Sequence, residues 1–302
     1  MTSLYPADVV TPPPRLRVGV IGSGRVGAVL GAALRRTGHP VVGCSARSDL
    51  SRVRAEALLP GVPIRSLHDV AADSDLLLLA VPDDRLPDVV ADISRDVHPG
   101  QIVMHVSGRY GIEVLEPLGG ALPIAAHPVM TFTGTSLDLD RLEDCPFGVT
   151  APAPVRPIAE ALVVEMGGDP IWVEEGARSA YHAALAHGAN HLVTLVAQTL
   201  DLLASAGVDD PARLVRPLLT AALDNTLREG DAALTGPVAR GDAATVRAHL
   251  AELTEGDSGT REAYLVLARV TLDRALATGF LTAAAAEPIA ELLADAERGA
   301  RQ

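Results

Sequence analysis

Through residues 15–173 the chain alternates short apolar runs with longer amphipathic stretches, and beyond them the short runs stop. RLRVGVI (15–21) is a β-branched run closed by glycine, which predicts a strand. GSGRVGAVLGAALRRTGH then carries small residues early and basic residues late, the bias a helix dipole favours. HPVVGCSAR returns to strand, residues 49–58 read as helix, and GVPI (61–64) reads as a short third strand. SDLLLLAVPDD (74–84) is a continuous apolar run ending on Pro82, the pattern of a fourth strand covered on both faces, with a helix following to about Val97. PGQIVMHVSG (99–108) and ALPIAAHPV (121–129) are the expected fifth and sixth strands. CPFGVTAP (145–152), a helix at 154–167 and DPIWV (169–173) complete the series. Strands alternating with helices at this spacing predict an α/β fold, with a doubly wound, mostly parallel sheet.

After Val173 only the helical period remains, over residues 175–206, 209–229, 242–253, 257–277 and 283–299. The expected organisation is a Pro-rich lead-in at 1–14, a nucleotide-binding domain at 15–173 and an all-helical substrate and dimerisation domain at 174–302. No internal repeat of fixed length is present. The Ala-rich helices have broad apolar faces suited to burial against a partner chain.

Composition narrows the classes. Apolar residues make up 48% and aromatics only 3%, so the core is built from Ala, Leu and Val. A formal charge of −13 with no basic patch argues against a nucleic-acid partner. The chain has no lysine; all 25 basic residues are Arg, so no lysine acid, base or Schiff base is available. Two separated cysteines, Cys44 and Cys145, do not make a disulfide framework, and a cytoplasmic setting fits them. The N-terminus lacks a secretory pattern, and no apolar run approaches the ~20 residues of a membrane span.

The chemistry starts at Gly22-Ser23-Gly24-Arg25-Val26-Gly27, a GxGxxG that follows one expected strand and opens a helix. That context is what a dinucleotide site requires: a tight turn, backbone close to the pyrophosphate, and free N–H groups at a helix N-terminus. The alternative is a purely structural glycine turn. At the end of the second strand an NAD enzyme carries Asp or Glu for the ribose 2′-hydroxyl. Here Ser45, Arg47 and Ser48 stand instead, and they suit a 2′-phosphate, so NADP(H) is the expected cofactor unless Arg47 is simply a solvated loop residue.

Ligands of such sheets sit outside the carboxyl ends of the strands. Three ends are informative: Val81-Pro82-Asp83, Ser107-Gly108 and His127-Pro128. Val81 and Pro82 join the cofactor-binding set. Ser107 is expected to bond a substrate oxygen or the nicotinamide amide, or else simply to end its strand. His127 is expected to give a proton to a carbonyl or imine, its ordinary pKa lying near neutrality, or else to be a packed histidine. In the long helix His187, Asn190, His191, Thr194 and Gln198 form a polar stripe, either its solvent face or a roof over the nicotinamide with Asn190 orienting substrate. His187 and His191 lack the Glu of HExxH and an evident third ligand, so no metal is expected. ALTGPVARGD (233–242) breaks the helical pattern; Asp242 is the expected N-cap of the next helix, and Arg240 a candidate for a substrate carboxylate.

GSGRVG, DLLLLAVPD, HVSG, AAHPVMTF and ALTGPVARGD, in this order, resemble the Rossmann-like, DUF2520-containing predicted oxidoreductases, from Arg15 to about Val270. The resemblance implies NADP-linked redox chemistry on a small molecule. More distantly the layout is similar to pyrroline-5-carboxylate, ketopantoate and hydroxyisobutyrate enzymes and prephenate dehydrogenases, which implies a homodimer formed through the helices. The catalytic Lys of ketopantoate reductases and hydroxyisobutyrate dehydrogenases has no counterpart, since Ala186 stands four before Asn190. The Ser and His-Pro of prephenate dehydrogenases carry over to Ser107 and His127, without the Met-Ala-Gly that follows there. The expected function is reduction of a small, carboxylate-bearing carbonyl or imine such as a ketopantoate-like 2-oxo acid. A non-catalytic NADP(H)-binding sensor or interaction protein is the alternative.

Overall fold

The structure, a computed structural model, describes residues 15–253 and 258–299, so the expected lead-in at 1–14 lies outside the described residues. The chain divides into two compact units between Ala189 and Asn190.

The first unit is built on seven strands: β1 (Val18–Ile21), β2 (Val41–Ser45), β3 (Leu76–Leu79), β4 (Ile102–His105), β5 (Leu122–Pro128), β6 (Pro146–Thr150) and β7 (Asp169–Trp172). Their order in the sheet is β2-β1-β3-β4-β5-β6-β7. All neighbours are parallel except β5 and β6, which run antiparallel. The four leucines of β3 are at most 1% exposed, as expected for a strand with helices on both faces. One face is covered by α1 (Arg25–Arg36), α2 (Asp49–Leu58) and α6 (Arg156–Glu165). The other is covered by α3 (Leu67–Ala72), α4 (Leu86–Ile93) and a 3₁₀ turn at Ile112–Leu118. A short α5 (Leu137–Arg141) lies between β5 and β6.

GVPI is not a strand. Only a single bridge forms, Ile64 beside Cys44, because Pro63 has no N–H to continue a ladder. The expected fourth, fifth and sixth strands are therefore β3, β4 and β5.

The second unit contains the later turns of α7 (Arg178–Ser205), which starts after a 3₁₀ turn at Glu175–Ala177, then α8 (Pro211–Glu229), α9 (Ala243–Glu252), α10 (Ser258–Ala277) and α11 (Ala283–Gly299). Its core joins Val246 and Leu250 of α9 to Leu265 and Leu272 of α10 and Ile289 and Leu293 of α11. Asp242 does cap α9, accepting from the Thr245 N–H at 3.1 Å. Among the described residues no helix is long and apolar enough to cross a membrane.

Candidate active site at the carboxyl edge of the sheet

The loop between β1 and α1 is shaped by what glycine omits. Gly22 has φ +95, and a Cβ there would lie 2.5 Å from the Ala80 carbonyl oxygen at the end of β3. A Cβ on Gly27 would collide with the Gly22 carbonyl. Around Gly24 the space is open. Gly24 is the N-cap of α1, no side chain caps the helix, and its first turn has no acidic residue. The orphan N–H groups of that turn thus face open space with the positive end of the dipole, which fits a dinucleotide pyrophosphate. Arg25 is exposed beside them, Val26 is half-buried, and Ser23 is fully buried. Val81 lines the Gly22 turn and Pro82 is exposed.

At the end of β2 the three expected phosphate ligands differ in state. Ser45 Oγ accepts the Gly22 N–H at 3.1 Å, so it braces the glycine loop. Ser48 Oγ caps α2 by accepting from Ser51 N–H at 3.2 Å. Arg47 is exposed and has no partner among the described residues. Between the end of β2 and α2 there is no carboxylate, and Asp49 is the first residue of α2.

The ends of β4, β5 and β6 converge on the opening of α7. Arg178 is 2% exposed. Its Nε donates to Thr150 Oγ1 at 2.8 Å, and its Nη2 donates to the carbonyls of Ala125 and Gly148, each at 3.0 Å. Its Nη1 donates to the Ser107 carbonyl at 3.4 Å. One turn later Tyr181 places its hydroxyl 2.9 Å from His127 Nδ1. Glu175 accepts the N–H groups of Ile112 at 2.8 Å and Glu113 at 3.1 Å. Glu175 and Tyr181 each occupy a notch left by a glycine. A Cβ on Gly111 would strike the Glu175 carboxylate, and one on Gly148 would strike the Tyr181 hydroxyl. One on Gly108 would lie 2.8 Å from His182 and 3.1 Å from His127 Nε2.

Ser107 and His127 are each held by near neighbours. Ser107 is 6% exposed and its Oγ accepts from the backbone N–H of Arg109 at 3.2 Å and of Tyr110 at 3.1 Å. Its hydroxyl oxygen closes the turn after β4. His127 does not titrate near neutrality: burial first, then the charges of Arg178 and His182, push its pKa down to about 4 against an opposing pull from Asp83. It is a neutral imidazole at pH 7, and its Nε2 has no hydrogen-bond partner among the described residues. His105, fully buried, is also held to about 4 by desolvation.

Asn190 and Arg240 belong to the second unit, both exposed, on α7 and in the turn before α9. His187, His191 and Thr194 are exposed and Gln198 is half-buried. Among the described residues no cluster of three His, Cys, Asp or Glu could hold a metal ion. Sequence patterns missed Glu175, Arg178, Tyr181 and His182. The available signal was their spacing: 175, 178, 181 and 182 share one side of a helical turn, opposite glycines at the strand ends.

Residues 5–128 match a family model for a Rossmann-like domain, and residues 145–271 match DUF2520, a domain of unknown function. Among curated proteins, a glycerol-3-phosphate dehydrogenase (NAD(P)+) of Anaeromyxobacter dehalogenans is 26% identical over 164 residues, 49% of this chain and 49% of that protein. The chain thus spans about half the length of the curated relatives it matches. A provisionally assigned NADP oxidoreductase from Bacteroides fragilis superposes with a TM-score of 0.72 at 20% identity, covering 86% of this chain and 98% of that one. An imine reductase from Myxococcus stipitatus in complex with NADP+ gives 0.65 at 16% identity, covering 88% and 100%. At these identities the likeness is one of fold alone.

Proposed function

Because the chain joins a Rossmann-like domain to a DUF2520 domain, we propose that it is an NADP(H)-dependent oxidoreductase that reduces a small carbonyl or imine. A carboxylate-bearing 2-oxo acid of the ketopantoate kind is the preferred substrate. The observation that carries this reading is the bare N-terminus of α1, uncapped and free of acidic residues, next to a β2 end that offers Arg47 and no carboxylate. The solved NADP+ complex of an imine reductase with this fold supports it.

A dinucleotide held by the Gly22–Gly27 turn, the α1 N-terminus and Arg47 would supply hydride to a carbonyl or imine carbon. As that C–H bond forms, the π pair moves to the oxygen or nitrogen, which then needs a proton. His127 and Tyr181 can deliver it without an imidazolium. With the Tyr181 hydroxyl donating to Nδ1, the proton of the neutral ring sits on Nε2, beside Gly108. Nε2–H passes to the reduced atom while Nδ1 takes the tyrosine proton, and water restores Tyr181. Ser107 and Gly108 are proposed to shape the wall of this site. The chain is also proposed to act as a homodimer through its helical unit.

NADPH is expected to raise the melting temperature more than NADH, and Arg47→Ala to abolish that preference. Equal shifts with both cofactors in the native protein would count against NADP(H). Tight NADPH binding without turnover of any 2-oxo acid or cyclic imine would favour a cofactor sensor.

A further inference from the structure

Two features of the sequence find no use at the strand ends: Gln198, the last residue of the polar stripe on α7, and the first half of the ALTGPVARGD turn. They meet in a cavity of about 330 Å³, lined by described residues of the second unit. That volume is at the small end of the range for small-molecule sites. Part of the lining is apolar and buried: Val238 of the turn, Leu253 after α9 and Ala268 of α10. Another part is apolar and exposed: Leu195 and Leu202 of α7 and Leu267 of α10.

The polar groups between these walls are uncharged amides, hydroxyls and an imidazole. No Arg, Asp or Glu is among the described lining residues. The side chains of Gln198, Thr260 and Thr271 have no hydrogen-bond partner among the described residues. His249 Nδ1 and the Tyr264 hydroxyl lie 3.0 Å apart, their rings edge-on with centroids separated by 5.9 Å. A neutral imidazole and a phenol joined in this way keep at least one donor and one acceptor to spare. If the phenol donates, Nε2–H and the phenol oxygen are left; if Nδ1–H donates, the phenol O–H and Nε2 are left. Burial pushes the pKa of the Tyr264 hydroxyl up, as surroundings that resist charge do.

We infer that this cavity is a binding site for an uncharged, largely apolar small molecule carrying one group that both donates and accepts hydrogen bonds, an amide or an alcohol. The apolar walls gain from covering the ligand's carbon surface. An amide or hydroxyl complements a donor and an acceptor held side by side. A carboxylate brings acceptors alone and a charge that no described guanidinium of the lining meets. An ammonium brings donors alone and meets no described carboxylate there. The ligand is therefore of a different class from the carboxylate-bearing substrate proposed for the strand ends, and the cavity is a site in its own right.

Three molecules of one shape test this: benzamide, benzoate and toluene, titrated by ligand-observed NMR into the native protein without cofactor. Benzamide is expected to bind about tenfold or more tighter than benzoate. Tyr264→Phe removes the hydroxyl and keeps the shape, and is expected to weaken benzamide about fivefold while leaving toluene unchanged. Ala263→Trp, which fills the cavity from α10, is expected to abolish binding of both in a protein of native circular dichroism. Benzoate binding as tightly as benzamide overturns the inference. So does a Tyr264→Phe variant that leaves benzamide unmoved or weakens toluene equally, or undiminished benzamide binding in a folded Ala263→Trp variant. If the Trp variant does not fold, the benzoate comparison and Tyr264→Phe still decide. Absence of benzamide binding to the native protein also overturns it; if Ala263→Trp then dissociates a native dimer in sedimentation, a second copy of the chain is the occupant instead.

Discussion

His105 shows how far a residue's chemistry can depart from its type. Both ring nitrogens are engaged, one donating to Gly111 and one accepting from Ser107, an arrangement only the neutral ring can make. Its pKa is held at about 4 against an ordinary 6.5. Between those values the unfolded chain binds a proton that the folded chain refuses, so stability falls as pH drops from 6.5 towards 4. The loss from this residue at pH 4.5 is on the order of 2 kcal/mol. Urea unfolding at pH 7 and pH 4.5 should show a drop smaller by roughly that amount in His105→Asn; equal drops in the two proteins would remove the assignment. The sequence displayed this histidine within HVSG and His127 within AAHPV, but not their protonation. That depends on Gly111, on Ser107 and, for His127, on Arg178, which is 51 positions away and is brought in only by the entry of α7.

At the scale of elements, α1 and α2 open in opposite ways. Ser48 closes α2 with a reciprocal serine box, while Gly24 leaves α1 open. Helices gain stability from a capping side chain, so an uncapped start reserves its N–H groups for a ligand. Gly24→Asp, placed in open space, is expected to stabilise the free protein by a few tenths of a kcal/mol and to weaken NADPH binding by about tenfold or more. Denaturation without cofactor and a fluorescence titration with NADPH measure the two effects, and undiminished NADPH affinity would show that the pyrophosphate lies elsewhere. The GxGxxG turn and most strands were legible because local pattern and tertiary role agree there. GVPI misled because its apolar composition hid the missing Pro63 N–H. The 3₁₀ turn at Ile112–Leu118 gave no period to read, and its first N–H groups are satisfied by Glu175 from far along the chain.

At the scale of the whole molecule, the helical half carries apolar surface that it does not bury internally. Within α8 only Val215 is buried, while Leu214, Leu218 and Leu227 are 57%, 68% and 78% exposed. We propose that this exposed leucine face of α8 is an association surface. A second copy of the chain is the proposed occupant. Sedimentation should give a dimer, and Leu218→Glu with Leu227→Glu a monomer of unchanged helical circular dichroism; a native monomer would rule this out. The all-helical character of residues beyond 175 was plain from periodicity, whereas the division within α7 was not, since one continuous helix serves both units. The opening of that helix has a last consequence, carried by Gly108, Gly111 and Gly148. Mutational scans that trim side chains to a methyl group look for functions lost by removal. At these three positions the same scan inserts matter, and the residue displaced is Glu175, Tyr181 or His182. The site is thus guarded by vacancies, and its weakest points are places where the chain has nothing to lose.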